Sequence, residues 1–145
     1  MAHTYQRQSI TSELARTLIA GAEERARQLG MAIAVTVVDE SGILKAYARM
    51  DGAPLVAEGA SRKKALTAVG FGLATGAAWY EMIHRDPILL LGAPQLDDFI
   101  LLGGGVPVSV DGQLVGAIGV SGGHYQQDED CARSALQAAG LGSPG

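Results

Sequence analysis

The chain has 145 residues, a length that fits one compact domain, here 1–145 with an ordered core expected over about 9–141. Hydrophobic residues make up 48% and charged residues 18%, enough apolar surface for a core and too little charge for disorder, so a folded, soluble protein is expected. The 11 Lys and Arg against 15 Asp and Glu give a formal net charge of -4 without a dense basic run, which argues against nucleic-acid binding.

From residue 11 to 29, Leu14, Leu18, Ala22, Ala26 and Leu29 recur at helical spacing. Ser9 or Thr11 suits its N-cap, and Gly30 offers the left-handed conformation that stops a helix. Residues 31–38 and 43–50 flank Asp39-Glu40-Ser41-Gly42 and read as a strand, tight turn and strand, with Asp39 shaping the turn. Pro54 to about Ile83 is helical, and Gly70, Gly72 and Gly76 predict a break into two pieces. Residues 86–98 read as a loop or short turn, because Pro87, Gly92 and Pro94 interrupt every period.

The second hairpin carries the stronger signal. Asp111-Gly112 separates two β-rich runs, 106–110 and 113–120, as hairpin turns require. A last amphipathic helix is expected over 128–139, with Asp128, Glu129 and Asp130 near its positive end and Cys131 on its apolar face. The tail 142–145 is expected to fray. Helix, hairpin, helices, hairpin, helix is an α+β order, an antiparallel sheet sandwiched by helices.

No apolar stretch approaches the ~20 residues that cross a bilayer. The single Cys131 forms no intrachain disulfide, and the first seven residues lack the apolar run of a signal peptide, so a cytoplasmic setting is expected. No second cysteine supports a metal cluster, and no metal site is expected. With 20 glycines and only 5% aromatics, the chain has few bulky side chains, and a homo-oligomer larger than a dimer is expected to complete its packing.

Three stretches carry a resemblance: GGGVPVSVDGQLVGAIGVSGGHYQQDEDCA from Gly103, VVDESG from Val37 and SRKKALTA from Ser61. Together they resemble the GlcG/HbpS family of small haem-binding or haem-degrading domains, which is also similar to the C-terminal domain of PduO cobalamin adenosyltransferases. The resemblance spans almost the whole chain. It implies a profilin-like α/β/α domain with a five-stranded antiparallel sheet, a multimer, and haem or a related small organic ligand. It also implies a haem ligand near the first helix, where residues 11–29 hold no histidine.

The candidate site residues follow. Haem needs an axial donor, and His84 and His124 are the candidates outside the terminal segment that carries His3. His84 also reads as a cation at a helix C-terminus, and His124 as a residue at a strand-to-helix junction where backbone donors gather. Lys64 is either a solvated charge or a partly buried ammonium fit for acid–base work, and the lysine in the resembling motif favours the functional reading. Gly103, Gly104 and Gly105 precede a strand, which suits close backbone packing and a bulge, or bare amides holding an oxyanion. Ser121, Gly122 and Gly123 carry the same pair of readings beside a helix start. Asp128 is a helix-terminal charge or a general base paired with His124.

Together these place a small-molecule pocket near Lys64, the glycine run and His124. The alternatives are a cofactor-free catabolic enzyme using Lys64 and His124, with backbone amides steadying an enolate or carboxylate, or a structural accessory subunit.

Overall fold

The computed structural model describes residues 1–141, so the expectation for 142–145 lies outside the described residues. Helix α1, Ser12–Gln28, starts where Thr11 Oγ1 accepts the Leu14 N–H at 3.0 Å. Its buried stripe is Ala15, Leu18, Ile19, Ala22 and Ala26, and Gly30 follows it at φ 69°. Strands β1, Ala34–Asp39, and β2, Leu44–Arg49, form the first hairpin. Asp39 shapes its turn by accepting N–H groups from Ser41 and Ile43 at 2.9 and 3.0 Å.

Helix α2, Val56–Phe71, ends at Gly72 in the left-handed region, and helix α3, Ala77–Ile83, follows, so the long helical region does divide in two. Residues 86–98 correct the loop expectation. They hold helix α4, Pro87–Gly92, and a 3-10 turn, Ala93–Gln95. Pro87 occupies the first turn, where a missing N–H costs nothing, and Asp86 caps by accepting from Ile88 and Leu89.

Strands β3, Gly105–Val110, and β4, Gln113–Ser121, make the second hairpin, with positive φ at both Asp111 and Gly112. A register shift marks β3 between Val108 and Ser109, downstream of the glycine run where a bulge was expected. Helix α5, Tyr125–Ala138, begins three residues before the expected start, because His124 caps it.

The sheet order is β2-β1-β4-β3, antiparallel throughout. It has four strands among the described residues, not the five that the resemblance implied. The chain between β2 and β3 is helical, and no segment there supplies a fifth. Helices α1 and α5 cover one face, packing Leu18 of α1 over Ile33, Val35, Val37, Ile118 and Val120. Helix α2 covers the other face, on β1, β4 and β3.

Helix α2 lies unusually close to the sheet because glycines face it. A Cβ on Gly119 would run into the Ser61 carbonyl oxygen, and one on Gly105 into the backbone of Lys64. Only a missing side chain admits that approach. No helix among the described residues is long and apolar enough to cross a membrane.

Candidate functional site

Lys64 projects from the middle of α2 and is only 1% exposed. Its ammonium donates to the Val120 carbonyl at the end of β4 and to Asp128 Oδ2 in α5, both at 2.9 Å. Asp128, also 1% exposed, accepts the Gly123 N–H on Oδ1 at 2.9 Å. Burial pushes the Lys64 pKa below its ordinary value, while the adjacent carboxylate works in the opposite direction. Thr36 and Ser61 share a buried hydrogen bond of 2.8 Å one helical turn earlier.

His124 is exposed and spends its ring on the helix start. Nδ1 accepts the Gln126 N–H at 3.2 Å, and Gln127 Oε1 accepts the His124 N–H at 3.2 Å, a reciprocal cap. The structure therefore joins Lys64 to Asp128 but does not bring Lys64 and His124 to one surface. The Gly123 turn stands between them, with its N–H directed to Asp128.

The remaining candidates divide. Gly104 and Gly105 pack closely: a Cβ on Gly104 would meet the Val120 oxygen and the Lys64 side chain. Ser121 is buried opposite Ala34, and Gly122 lies against the backbone of Ala32 and Ile33. His84 is the C-cap residue of α3; its Nδ1 lies 2.9 Å from the Tyr80 carbonyl and its ring stacks on Tyr80 at 5.1 Å. Gly103 alone of the glycine candidates lines an open cleft of about 490 Å³.

This cleft lies where α3, the loop before β3 and α5 converge. Tyr80 and Glu81 come from α3, Leu101 and Leu102 from the loop, and Tyr125 and Glu129 from the first turns of α5. Its floor is Gly76 and Gly103, whose backbones meet so closely that a Cβ on Gly76 would lie 2.9 Å from Gly103 Cα. Hydrogen bonds hold the floor: Gly76 N–H to Leu101 O at 2.7 Å, and Thr75 N–H to Gly105 O with Gly105 N–H to Thr75 Oγ1, both at 2.9 Å. Glu129 Oε2 accepts from Arg133 Nε at 2.9 Å.

Sequence reasoning missed Tyr80, Glu81, Tyr125 and Glu129 as cleft residues. The signal available was scarcity: a chain with 4 tyrosines places two of them here, each in ring contact with one of the two candidate histidines. The His124 and Tyr125 ring centroids are 4.2 Å apart.

Haem requires an apolar slot and a donor to its iron. Leu101 and Leu102 are apolar lining residues, and Tyr80 and Tyr125, the two lining residues that carry a phenol oxygen, are the donors the lining contains. No histidine lines the cleft, although His84 and His124 each touch one of those tyrosines. These residues fit a flat, largely apolar ligand carrying one coordinating centre.

A family model described as haem degrading protein HbpS-like matches residues 10–137. Protein GlcG of Escherichia coli (strain K12) is 36% identical over 112 residues, covering 77% of this chain and 81% of that protein. Among solved structures, Klebsiella pneumoniae protein ORFY superposes with a TM-score of 0.87 at 31% identity over 99% of both chains. A PduOC complex with haem superposes at 0.82 with 31% identity, covering 94% of this chain and 99% of that one.

Proposed function

The chain belongs to the HbpS-like family of haem-degrading proteins, and from that premise we propose that it binds haem, or a related flat organic ligand, in the cleft between α3, the loop before β3 and α5. The observation that carries this reading is the pairing of two cleft tyrosines with the two candidate histidines, in a fold that superposes on a haem complex. When bound, haem supplies redox chemistry at its iron. The chain's part is to hold it: Leu101 and Leu102 shield an apolar face, and Tyr80 or Tyr125 presents an oxygen donor.

The same proposal places the site in a cytoplasmic homo-oligomer larger than a dimer, built on the profilin-like variant of the α+β architecture. Supporting the oligomer, α4 buries none of its residues and exposes Ile88, Leu89 and Leu91, while Leu55 and Val56 stand exposed at the start of α2. Light scattering that finds a stable monomer at micromolar concentration would overturn it.

The acid–base alternative at Lys64 and His124 has weaker support. The Lys64 ammonium is interior and bonded to Val120 and Asp128, and His124 Nδ1 is committed to the helix cap. The decisive experiment is a hemin titration followed by absorption, with Tyr80→Phe, Tyr125→Phe, His84→Ala and His124→Ala alongside the parent. We expect a saturable Soret band for the parent and a shifted or weakened band for a tyrosine variant. Hemin that stays free in the presence of the parent protein overturns the reading.

A further inference from the structure

Resting on that reading of the cleft, we infer that Lys64 and Asp128 are positioning residues for it: their buried pair fixes the first turn of α5, and with it Tyr125 and Glu129, against the glycine floor. Three directional bonds meet there. Lys64, on one face of the sheet, reaches past the end of β4 to bond Val120 O and Asp128 Oδ2, and Asp128 Oδ1 takes the Gly123 N–H. The tie thus joins α2, the end of β4 and the start of α5.

Stability alone does not call for charges at this place. A well-packed apolar pair of similar volume commonly serves as well as a buried ion pair, or better, because desolvating two ions is costly. What the ions add over methyl groups is direction, since each bond requires its partner along a fixed line. The element so directed is a cleft wall. Glu129 follows Asp128 immediately, and Tyr125 lies one turn before it.

The floor lies correspondingly close to that wall. A Cβ on Gly103 would lie 3.0 Å from Glu129 Oε1 and 3.4 Å from Tyr125 Cδ2, and one on Gly104 would lie 3.0 Å from Lys64 Nζ. The ammonium therefore sits against Gly104, the chain neighbour of the floor residue Gly103, and an ångström of movement in α5 changes the slot. Neither Lys64 nor Asp128 lines this cleft, so they act on the ligand through its wall and floor.

The test compares the parent with the double variant Lys64→Met/Asp128→Leu, which removes both charges together. The expected result is a folded double variant with a melting temperature lowered by the loss of the bonds to Val120 O and the Gly123 N–H, hemin affinity reduced about tenfold or more, and a broadened or displaced Soret band. A folded double variant with the parent's affinity and band overturns the inference while leaving the cleft reading intact. A parent that binds no hemin overturns both. Should the double variant fail to fold, Asp128→Glu decides: it keeps the charge but lengthens the tie by one methylene, so weakened hemin binding supports positioning and parental binding refutes it.

Discussion

Asp128 and Asp130 stand two residues apart on α5, and each pairs with a cation from another helix. Residues so spaced point to nearly opposite sides of a helix. Asp128 turns inward to Lys64 of α2 at 2.9 Å, with side chains 1% and 2% exposed. Asp130 turns outward to Arg25 of α1 at 3.0 Å, with side chains 39% and 35% exposed. The outer pair has the better fork geometry, Arg25 donating from Nε and Nη2 to both carboxylate oxygens at 3.1 and 3.0 Å. Geometry is therefore not what separates them. Water competes for the outer pair and cannot reach the inner one, so the inner pair carries the larger consequence when broken.

Breaking the inner pair from one side gives the largest expected effect. Lys64→Met leaves Asp128 buried without its cation and should cost about 3–5 kcal/mol in urea unfolding, as should Asp128→Ala for the opposite reason. A loss no larger than that of Arg25→Ala would abolish the distinction between the two pairs. The pH profile sharpens it. Because burial lowers the Lys64 pKa in the folded state, the unfolded chain holds more protons between that lowered value and 10.5. Stability contributed by this group should therefore rise with pH through that window, and the difference between parent and Lys64→Met should show the rise.

The layer that encloses the inner pair sets the next effect. Gly119→Ala would place a Cβ against the Ser61 carbonyl and 2.6 Å from Ala65 N, backbone atoms that cannot swing aside. Helix α2 must lift from the sheet, and a loss of roughly 1–3 kcal/mol is expected from overpacking of this kind. Unfolding curves that match the parent would mean that α2 does not need its close seat. Gly59→Ala is the control, since a Cβ there meets nothing within 4 Å.

These residues also mark how far the sequence could be read. Asp39 and Asp111-Gly112 announced their turns because turn chemistry is local, and the spacing of Leu14, Leu18, Ala22, Ala26 and Leu29 announced α1, though Ala15 and Ile19 of its buried stripe were not among them. Pro87 misled, because a proline reads as a breaker until its place in the first turn is known. Lys64 drew notice as an unusual lysine, but its partner is 64 residues away and nothing local to either residue pairs them. The cleft tyrosines were missed for the same reason: Tyr80 and Tyr125 meet across one space only after α3 and α5 are packed. The fifth strand came from family resemblance rather than from any β-patterned segment of this chain, and the sheet has four strands among the described residues.

Cys131 follows Asp130 directly in α5 and is fully buried, with its thiol pKa pushed up to about 11 chiefly by burial and further by Asp130 and Asp128. A thiol so placed holds little thiolate at neutral pH and is shielded from reagents. Labelling with a thiol-specific chromogenic reagent at about pH 8 should be slow in the folded protein and complete in denaturant, its rate following opening of α5. Rapid labelling of the native protein would mean that the inner side of α5 is wetter than the Lys64 pair requires. Lys64→Met, by loosening that side, should speed the reaction.

The smallest effect belongs to the outer pair. The hydrogen bond from Arg25 holds the Asp130 carboxyl below its ordinary 3.8, with Ser134 adding a second bond that acts the same way. A lowered folded-state pKa means that the contribution is present above 3.8 and disappears as pH falls through the lowered value, where folded and unfolded chains are both protonated. Solvent exposure limits it to less than about 1 kcal/mol, and salt should erode it further. A double-mutant cycle with Arg25→Ala and Asp130→Asn, measured by urea unfolding near neutral pH and again in acid, isolates the coupling. We expect a few tenths of a kcal/mol that shrinks in about 1 M salt and vanishes in acid. Coupling of several kcal/mol, insensitive to salt, would show that the outer side of α5 is closed to water after all, and that burial does not divide the two carboxylates.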